Sequence, residues 1–325
     1  MNHYLAFLIG LLIITVAAEL LLRAAAKIAA LMGVKPIVIG LTVVSLGTSL
    51  PELAVGITAV EENAGAMAIG NIAGTNLVNI LLILGLTALL RPLPLHLKSL
   101  KLEMRIMIAA ALLLLLLSID GALSFIDGLL MLALGLWYMV QVVRGSKNES
   151  AAIQKEYAEE YSPSSTREQR NALVWLLHFL ILALSIAGTI WGANWLVDGA
   201  TSIARAWGWS ESLIGLTIVA IGTSAPELIT TLVATFKNDR DVAVGNLLGS
   251  SIMNILIILA LTSVFTWKGV PVSNDLLWVD IPLALLTAIV CYPVFKSGSR
   301  VSRVEGACFV MAYVLYLAGI IVFRA

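Results

Sequence analysis

IGLTVVSLGTSLPEL occupies residues 39–53 and IGLTIVAIGTSAPEL residues 214–228. Each is followed by a second shared stretch, AIGNIAGTNLVNILLILGLT at 68–87 and AVGNLLGSSIMNILIILALT at 243–262. Residues 39–87 align on 214–262 without a gap at a constant offset of 175, with 24 identities in 49 positions. The chain is therefore an internal duplication, and the apolar character of both copies places the duplicated unit in lipid.

Working outward, apolar residues make up 60% of the 325 positions and charged residues 12%, against roughly 45–50% and about 25% in soluble domains. A span needs roughly 20 predominantly apolar residues to cross the hydrocarbon. Ten such segments can be drawn, at 4–22, 37–60, 67–90, 104–118, 124–143, 173–197, 212–236, 242–266, 276–294 and 304–323. The first has no preceding positive charge and no clear small-residue cleavage site, so it reads as a retained span and not a secretory signal. The expected fold is all-α and membrane-integral. Five spans separate equivalent positions of the two copies, an odd number, so the second copy crosses the membrane in the opposite direction, as in many secondary transporters.

The polar stretch 144–171, RGSKNESAAIQKEYAEEYSPSSTREQR followed by Asn171, divides the chain into a five-helix repeat at 1–143 and another at 172–325. It is too short for a folded regulatory domain and carries no Asp-rich calcium loop of the EF-hand kind. With both termini placed outside, 17 of the 20 Lys and Arg residues fall in inward loops, leaving only Arg205, Lys268 and Arg324 outside. That bias fits the positive-inside rule and a multi-pass protein of the cell membrane. Cys291 and Cys308 lie in or near the last two spans and read as small apolar residues, not a disulfide framework. Zero net charge gives no sign of a nucleic-acid partner, and no obligatory protein partner or cofactor is expected. The three histidines and the Trp residues, including Trp175, Trp207, Trp209, Trp267 and Trp278, fit span ends and interfaces.

Glu52 and Glu227 stand apart from the other acids because each falls near the middle of an apolar span. An ionised group there costs about 2.5–3.5 kcal/mol even on lenient insertion scales. No Lys or Arg lies mid-span to offset that, which leaves a bound cation or protonation. A protonated structural Glu bonded to a neighbouring helix would explain one such residue more readily than two at equivalent positions. Thr48 and Thr223 stand four residues before the glutamates and share their helix faces. Pro51 and Pro226 clash with the carbonyls of Gly47 and Gly222 and remove a donor, so spans two and seven are expected to be broken there. Carbonyls around Ser45–Thr48 and Ala220–Thr223 would become free to bind a cation. Thr75 and Asn79, and Ser250 and Asn254, repeat the four-residue spacing on the following helices. The glycines of GNIAG and GNLLG (Gly70, Gly74, Gly245, Gly249) form small-xxx-small patterns for close packing, while Asn71 and Asn246 could bond the broken helix or bind ions. All candidate ligands are oxygens, which favours hard cations over zinc or copper. Two carboxylates neutralise one divalent ion and could equally hold monovalent ions, so that ion types would compete for the same groups.

The four stretches resemble the two alpha-repeats of the calcium/cation antiporter superfamily, specifically its prokaryotic sodium/calcium exchanger branch. The resemblance carried by GTSLPE, GTSAPE, GNIAGTNLVN and GNLLGSSIMN covers about 100 residues. It implies a secondary antiporter, not an enzyme, that exchanges Ca²⁺ for Na⁺ by alternating access. It also implies that Glu52 and Glu227, with the carbonyls of Thr48 and Thr223, hold Ca²⁺. Sodium sites would overlap that one, using the backbone of Ser45 and Ala220 together with Ser49, Ser224, Thr75 and Ser250. The first and sixth spans would slide as the gate. The chain departs from the best understood prokaryotic pattern in having Asn254 where that pattern has Asp, although Asn occurs there in other members. Ser251 replaces the usual Asn of GSN, and Thr75 a usual Ser. The proton-coupled branch, an alternative, carries a Glu in its GN motif that GNIAG and GNLLG lack. A passive cation channel could use the same ligands without needing inverted halves. An intramembrane hydrolase is disfavoured by the absence of a mid-span Ser-His or paired-Asp arrangement.

Overall fold

The computed structural model describes residues 3–32, 36–61, 65–94, 97–147, 172–208, 220–237, 239–267, 269–296 and 300–324. The linker expected at 144–171 lies largely outside these, as does the first part of the seventh span. The described residues are helical almost throughout. In order, α1 is His3–Met32, α2 is Gly40–Thr48 after a helical turn at Pro36–Ile39, α3 is Leu50–Glu61 and α4 is Gly65–Leu90. Then come α5 (Leu97–Leu117), α6 (Phe125–Lys147), α7 (Ala172–Ala206), a turn at Ala220–Gly222 and α8 (Ala225–Phe236). The chain ends with α9 (Val242–Phe265), α10 (Leu276–Lys296) and α11 (Arg303–Arg324).

Seven of these helices are long and apolar enough to cross a bilayer, and the bent pair α2 and α3 makes an eighth. The fourth expected span, α5, begins with charged Lys98, Lys101, Glu103 and Arg105 before its run of leucines. Burial sorts the helices. α4 and α9 are enclosed on nearly every side, whereas α7 and α11 keep most of their apolar side chains on the outside. An apolar exterior is what lipid requires of a helix whose backbone is already internally bonded. Trp207, Trp267 and Trp278 lie exposed near helix ends, where an interfacial belt would place them. Cys291 is buried and Cys308 exposed, and both are free.

Close approaches set the packing. α1 and α7 run antiparallel with Gly10 against Leu196 and Gly192 against Ile14, and a Cβ added at either glycine would come within 2.4–2.6 Å of the other helix's backbone. α6 packs on the second half of α9, where a Cβ on Gly128 would lie 2.9 Å from the Ala260 carbonyl oxygen. α11 packs on the second half of α4, where Gly306 stands in the same relation to the Gly85 oxygen, at 2.6 Å.

Two short antiparallel ribbons tie the loops. β1 (Leu93–Pro94) pairs with β4 (Arg300–Val301), and β2 (Ala122–Leu123) with β3 (Val270–Pro271). Turns at Gly121 (φ 89°) and Gly269 (φ 76°) precede β2 and β3, a conformation that suits glycine because it has no Cβ. After β2 and after β4 the next helix opens with the same reciprocal cap. Ser124 Oγ donates to Asp127 Oδ2 at 2.6 Å and accepts the Asp127 N–H at 3.2 Å. Ser302 and Glu305 repeat this at 2.7 and 3.3 Å. Such a box satisfies backbone donors that a helix start leaves open.

Candidate cation site

The two GTSxPE segments put a break at the same place. Ser49 has φ −87° and ψ 5°, and Ser224 has φ −91° and ψ 10°. Both lie in the sparsely populated bridge region, two residues ahead of the prolines. The first break bends α3 by 45° from α2, as expected where a proline removes a donor and crowds the preceding turn. One expectation is corrected. The Ser45 carbonyl is not freed by the break, because it accepts the Ser49 N–H at 3.1 Å and the Thr48 hydroxyl at 3.3 Å. The chain tightens there instead of leaving both lone pairs open.

Glu52 and Glu227 open α3 and α8, each in the first helical turn, where the N-terminal backbone dipoles favour negative charge. Both are fully buried, and among the described residues none of their four carboxylate oxygens meets hydrogen-bond geometry with a partner. The hydroxyls of Thr48 and Ser250 lie beside the Glu227 carboxylate and 3.4 Å from each other. A residue of the first break, the second glutamate and a residue of α9 are thereby brought together, uniting both copies of the repeat.

Asn246, left undecided by its sequence, acts as the brace. Its carbonyl accepts the Ser45 hydroxyl at 3.2 Å, and its Oδ1 lies 3.5 Å from Thr48 Oγ1. Ser45 Oγ also reaches the Gly40 carbonyl at 2.5 Å. Gly249 permits this contact, since a Cβ there would sit on Ser45 Oγ and 2.8 Å from the Leu41 Cα and carbonyl oxygen. Gly70 has more room, meeting only the Leu276 side chain at 3.3 Å.

Most of the remaining expected residues are buried. Ser49, Ser224, Asn79 and Asn254 are fully enclosed, and among the described residues their side-chain polar atoms have no hydrogen-bond partner. Thr75 is buried, Thr223 half-buried, and Ala220 begins the helical turn that leads into the second break. Asn79 and Asn254 fall within π-helical turns, Val78–Leu84 and Asn254–Leu259. Such turns are rare and gather at functional sites. They alter which face the residues after Asn79 and Asn254 present, and the simple four-residue spacing did not foresee them.

Asn76 was missed, although it stands between Thr75 and Asn79. Its Nδ2 donates to the Ser251 carbonyl at 3.2 Å, and its Oδ1 is buried without a partner. Ser251 is its own equivalent in the second copy, so the helices cross near that point. The signal available in sequence was the change of residue type between TN at 75–76 and SS at 250–251.

A burial of this many unpartnered oxygens is expensive, at about 1–3 kcal/mol for each polar group left unbonded and more for a charged one. A bound cation or protonation of the carboxylates would offset it. Among the described residues no group of three or more His, Cys, Asp or Glu side chains forms a metal cluster.

Comparison with known proteins finds relatives over nearly the whole chain. The family model described as sodium/calcium exchanger protein matches residues 2–144 and 177–322. The putative antiporter CaxA of Alkalimonas amylolytica is 35% identical, over 95% of each chain. The sodium/calcium exchanger MaX1 of Methanosarcina acetivorans is 29% identical, over 97% of each. A solved structure of the sodium-calcium exchanger NCX_Mj superposes with a TM-score of 0.81 at 30% identity, covering 98% of this chain and 100% of that one. The chain belongs to the sodium/calcium exchanger family.

Proposed function

We propose that this antiporter exchanges Ca²⁺ for Na⁺ at one pocket whose charge comes from Glu52 and Glu227. The observation that carries this is the pair of fully buried carboxylates, with no cationic side chain beside them among the described residues, at equivalent positions of the two repeats, each at a helix break. The Thr48 and Thr223 carbonyls complete the calcium shell. Ala220, Ser49, Ser224, Thr75 and Ser250 contribute to overlapping sodium sites, with Asn79 and Asn254 as neutral oxygen donors. Ca²⁺ takes about 6–8 oxygens in irregular geometry, which suits carbonyl, hydroxyl, amide and carboxylate oxygens drawn from four helices. Because the glutamates serve both ions, one must leave before the other binds, and obligatory exchange follows.

The pocket is reached from the two sides in turn by a ten-span chain with inverted halves and both termini outside. Support comes from contacts far from the repeats' shared motifs. The plan puts the loops holding β1 and β4 on one side of the membrane and those holding β2 and β3 on the other, and those are the pairs that form. The ribbons are also equivalents of each other at offsets of 177 and 178. The same shift relates the two Ser-capped helix starts. It also relates the bond from Tyr316 to buried Asp280, 3.0 Å long, to the placement of Tyr138 beside Glu103.

The test is ⁴⁵Ca²⁺ uptake into sodium-loaded proteoliposomes with an outward Na⁺ gradient, then with K⁺ or a pH gradient in its place. Uptake should require the Na⁺ gradient and be lost in Glu52→Gln and Glu227→Gln. Uptake driven only by the pH gradient would make the protein proton-coupled, and flux needing no counter-ion gradient would make it a channel. Uptake indifferent to both glutamates would refute the site.

A further inference from the structure

The offset of 175 extends beyond the shared motifs into the paired helices α1 and α7, where AELLLRAAAKIAALMG at 18–33 aligns on ANWLVDGATSIARAWG at 193–208. Equivalent positions can then be compared at the two ends of the pocket. At one end, Lys237 just after α8 makes an ion pair with Glu19 of α1, which Arg23 also bonds at 2.6 Å. The last carbonyls of α8, on Thr235 and Phe236, accept from Arg91 Nη1 at 3.3 and 3.4 Å. A cation placed on the C-terminal carbonyls of a helix opposes its dipole. By sequence the equivalents of Glu19, Arg23 and Arg91 are Asn194, Asp198 and Thr266, and Lys237 aligns on Glu62, which lies outside the described residues. None of these residue types can form the same pairs. The packing is lopsided in the same sense. α1 lies along α8, whereas among the described residues α7 makes no comparable run against α3.

We propose that the Glu19–Lys237 pair, backed by Arg91, is a one-sided latch that holds the end of the pocket beside α8 closed, so that the resting exchanger favours opening beside α3. By the positive-inside distribution of Lys and Arg the latched face is cytoplasmic and the unlatched face is external. The latch rests on the alternating-access reading. It adds to that reading an unequal population of the two states, which the shared motifs of the two repeats do not by themselves require. The pair is partly exposed, with 26% of the Glu19 side chain and 37% of the Lys237 side chain accessible, so its effect is modest. Pairs of this exposure shift an equilibrium by up to about fivefold.

The experiment is hydrogen–deuterium exchange of the full-length protein in nanodiscs, read over α8 and over α3, together with ⁴⁵Ca²⁺ uptake. Glu19→Gln and Lys237→Gln should each speed α8 exchange roughly twofold to fivefold. Arg23→Gln leaves the bond between the helices intact and should leave α8 as in the wild type. If α8 exchanges alike in Glu19→Gln, Lys237→Gln and Arg23→Gln, the latch does not exist. Sodium-driven uptake by the wild type is recorded in parallel, so its absence would overturn the exchange reading separately from the latch.

Discussion

Replacing Gly249 by alanine should damage the pocket without touching a ligand. The new Cβ would fall on Ser45 Oγ and 2.8 Å from both the Cα and the carbonyl oxygen of Leu41. The hydroxyl can rotate away, but backbone cannot, so α9 must back off from α2. Overpacking of this kind costs about 1–3 kcal/mol. The retreat pulls on the contacts that position the site, namely Ser45 Oγ to the Asn246 carbonyl at 3.2 Å and Thr48 to Ser250 at 3.4 Å. Losing half of that from the calcium-bound state weakens binding by about twofold to tenfold, since 1.4 kcal/mol is about one decade. The assay is the half-saturating Ca²⁺ concentration for sodium-driven uptake, with thermal stability in detergent measured on the same preparation. Gly70→Ala is the control, because its Cβ would meet only the movable end of Leu276 at 3.3 Å and should cost little. A Gly249→Ala protein with wild-type affinity and wild-type stability would show that the approach of α9 to α2 does not set the site.

Asn254→Asp should add a third carboxylate to a pocket that holds two. If Asn254 touches the ions, the number of Na⁺ exchanged per Ca²⁺, read from the reversal potential of uptake, should rise by up to one. An unchanged ratio with active protein would remove Asn254 from the ion shell. Thr75→Ser keeps the hydroxyl and drops a methyl from a buried position, so a changed Na⁺ affinity is expected if the side chain is a tuned sodium ligand. Unchanged sodium affinity would end the argument for Thr75.

The glutamates and the breaks were legible because they violate the chemistry of their surroundings. A carboxylate in an apolar span and a proline one residue before it are both conspicuous against leucine and isoleucine, and the duplication doubles each signal. The apolar periodicity of the spans was equally open to reading. The π turns at Asn79 and Asn254 were not, since a π turn has no composition of its own and arises when packing inserts one residue into an α-helical run. The fate of the Ser45 carbonyl was misread for a related reason. Proline's clash establishes that the helix must break, but the lone pairs it exposes are taken by whichever local donor is nearest, here the Ser49 amide and the Thr48 hydroxyl. The small ribbons escaped notice because two-residue strands carry no alternating pattern.

What duplication leaves equal, the surrounding residues make unequal. The two breaks agree in backbone angles to within a few degrees, so opening toward either side involves the same local geometry at the glutamates. Their neighbours differ. Ser45 bonds across to α9 through Asn246, while its equivalent Ala220 has no hydroxyl with which to do so. α8 carries Thr230 and Thr231, both buried, where α3 carries Val55 and Gly56. An exchanger needs both openings to be accessible, but equal populations are needed only if the ions outside and inside are equally abundant. Sequence symmetry kept at the carboxylates and relaxed around them lets the affinity of the site stay common to both states while each opening is adjusted on its own. Substitutions at Glu52 or Glu227 should therefore impair uptake from either side alike, whereas substitutions at Ser45 or Thr230 should change the half-saturating Ca²⁺ concentration on one face more than on the other. Equal effects on both faces, measured in vesicles of sorted orientation, would show that the asymmetry of the neighbours has no bearing on transport.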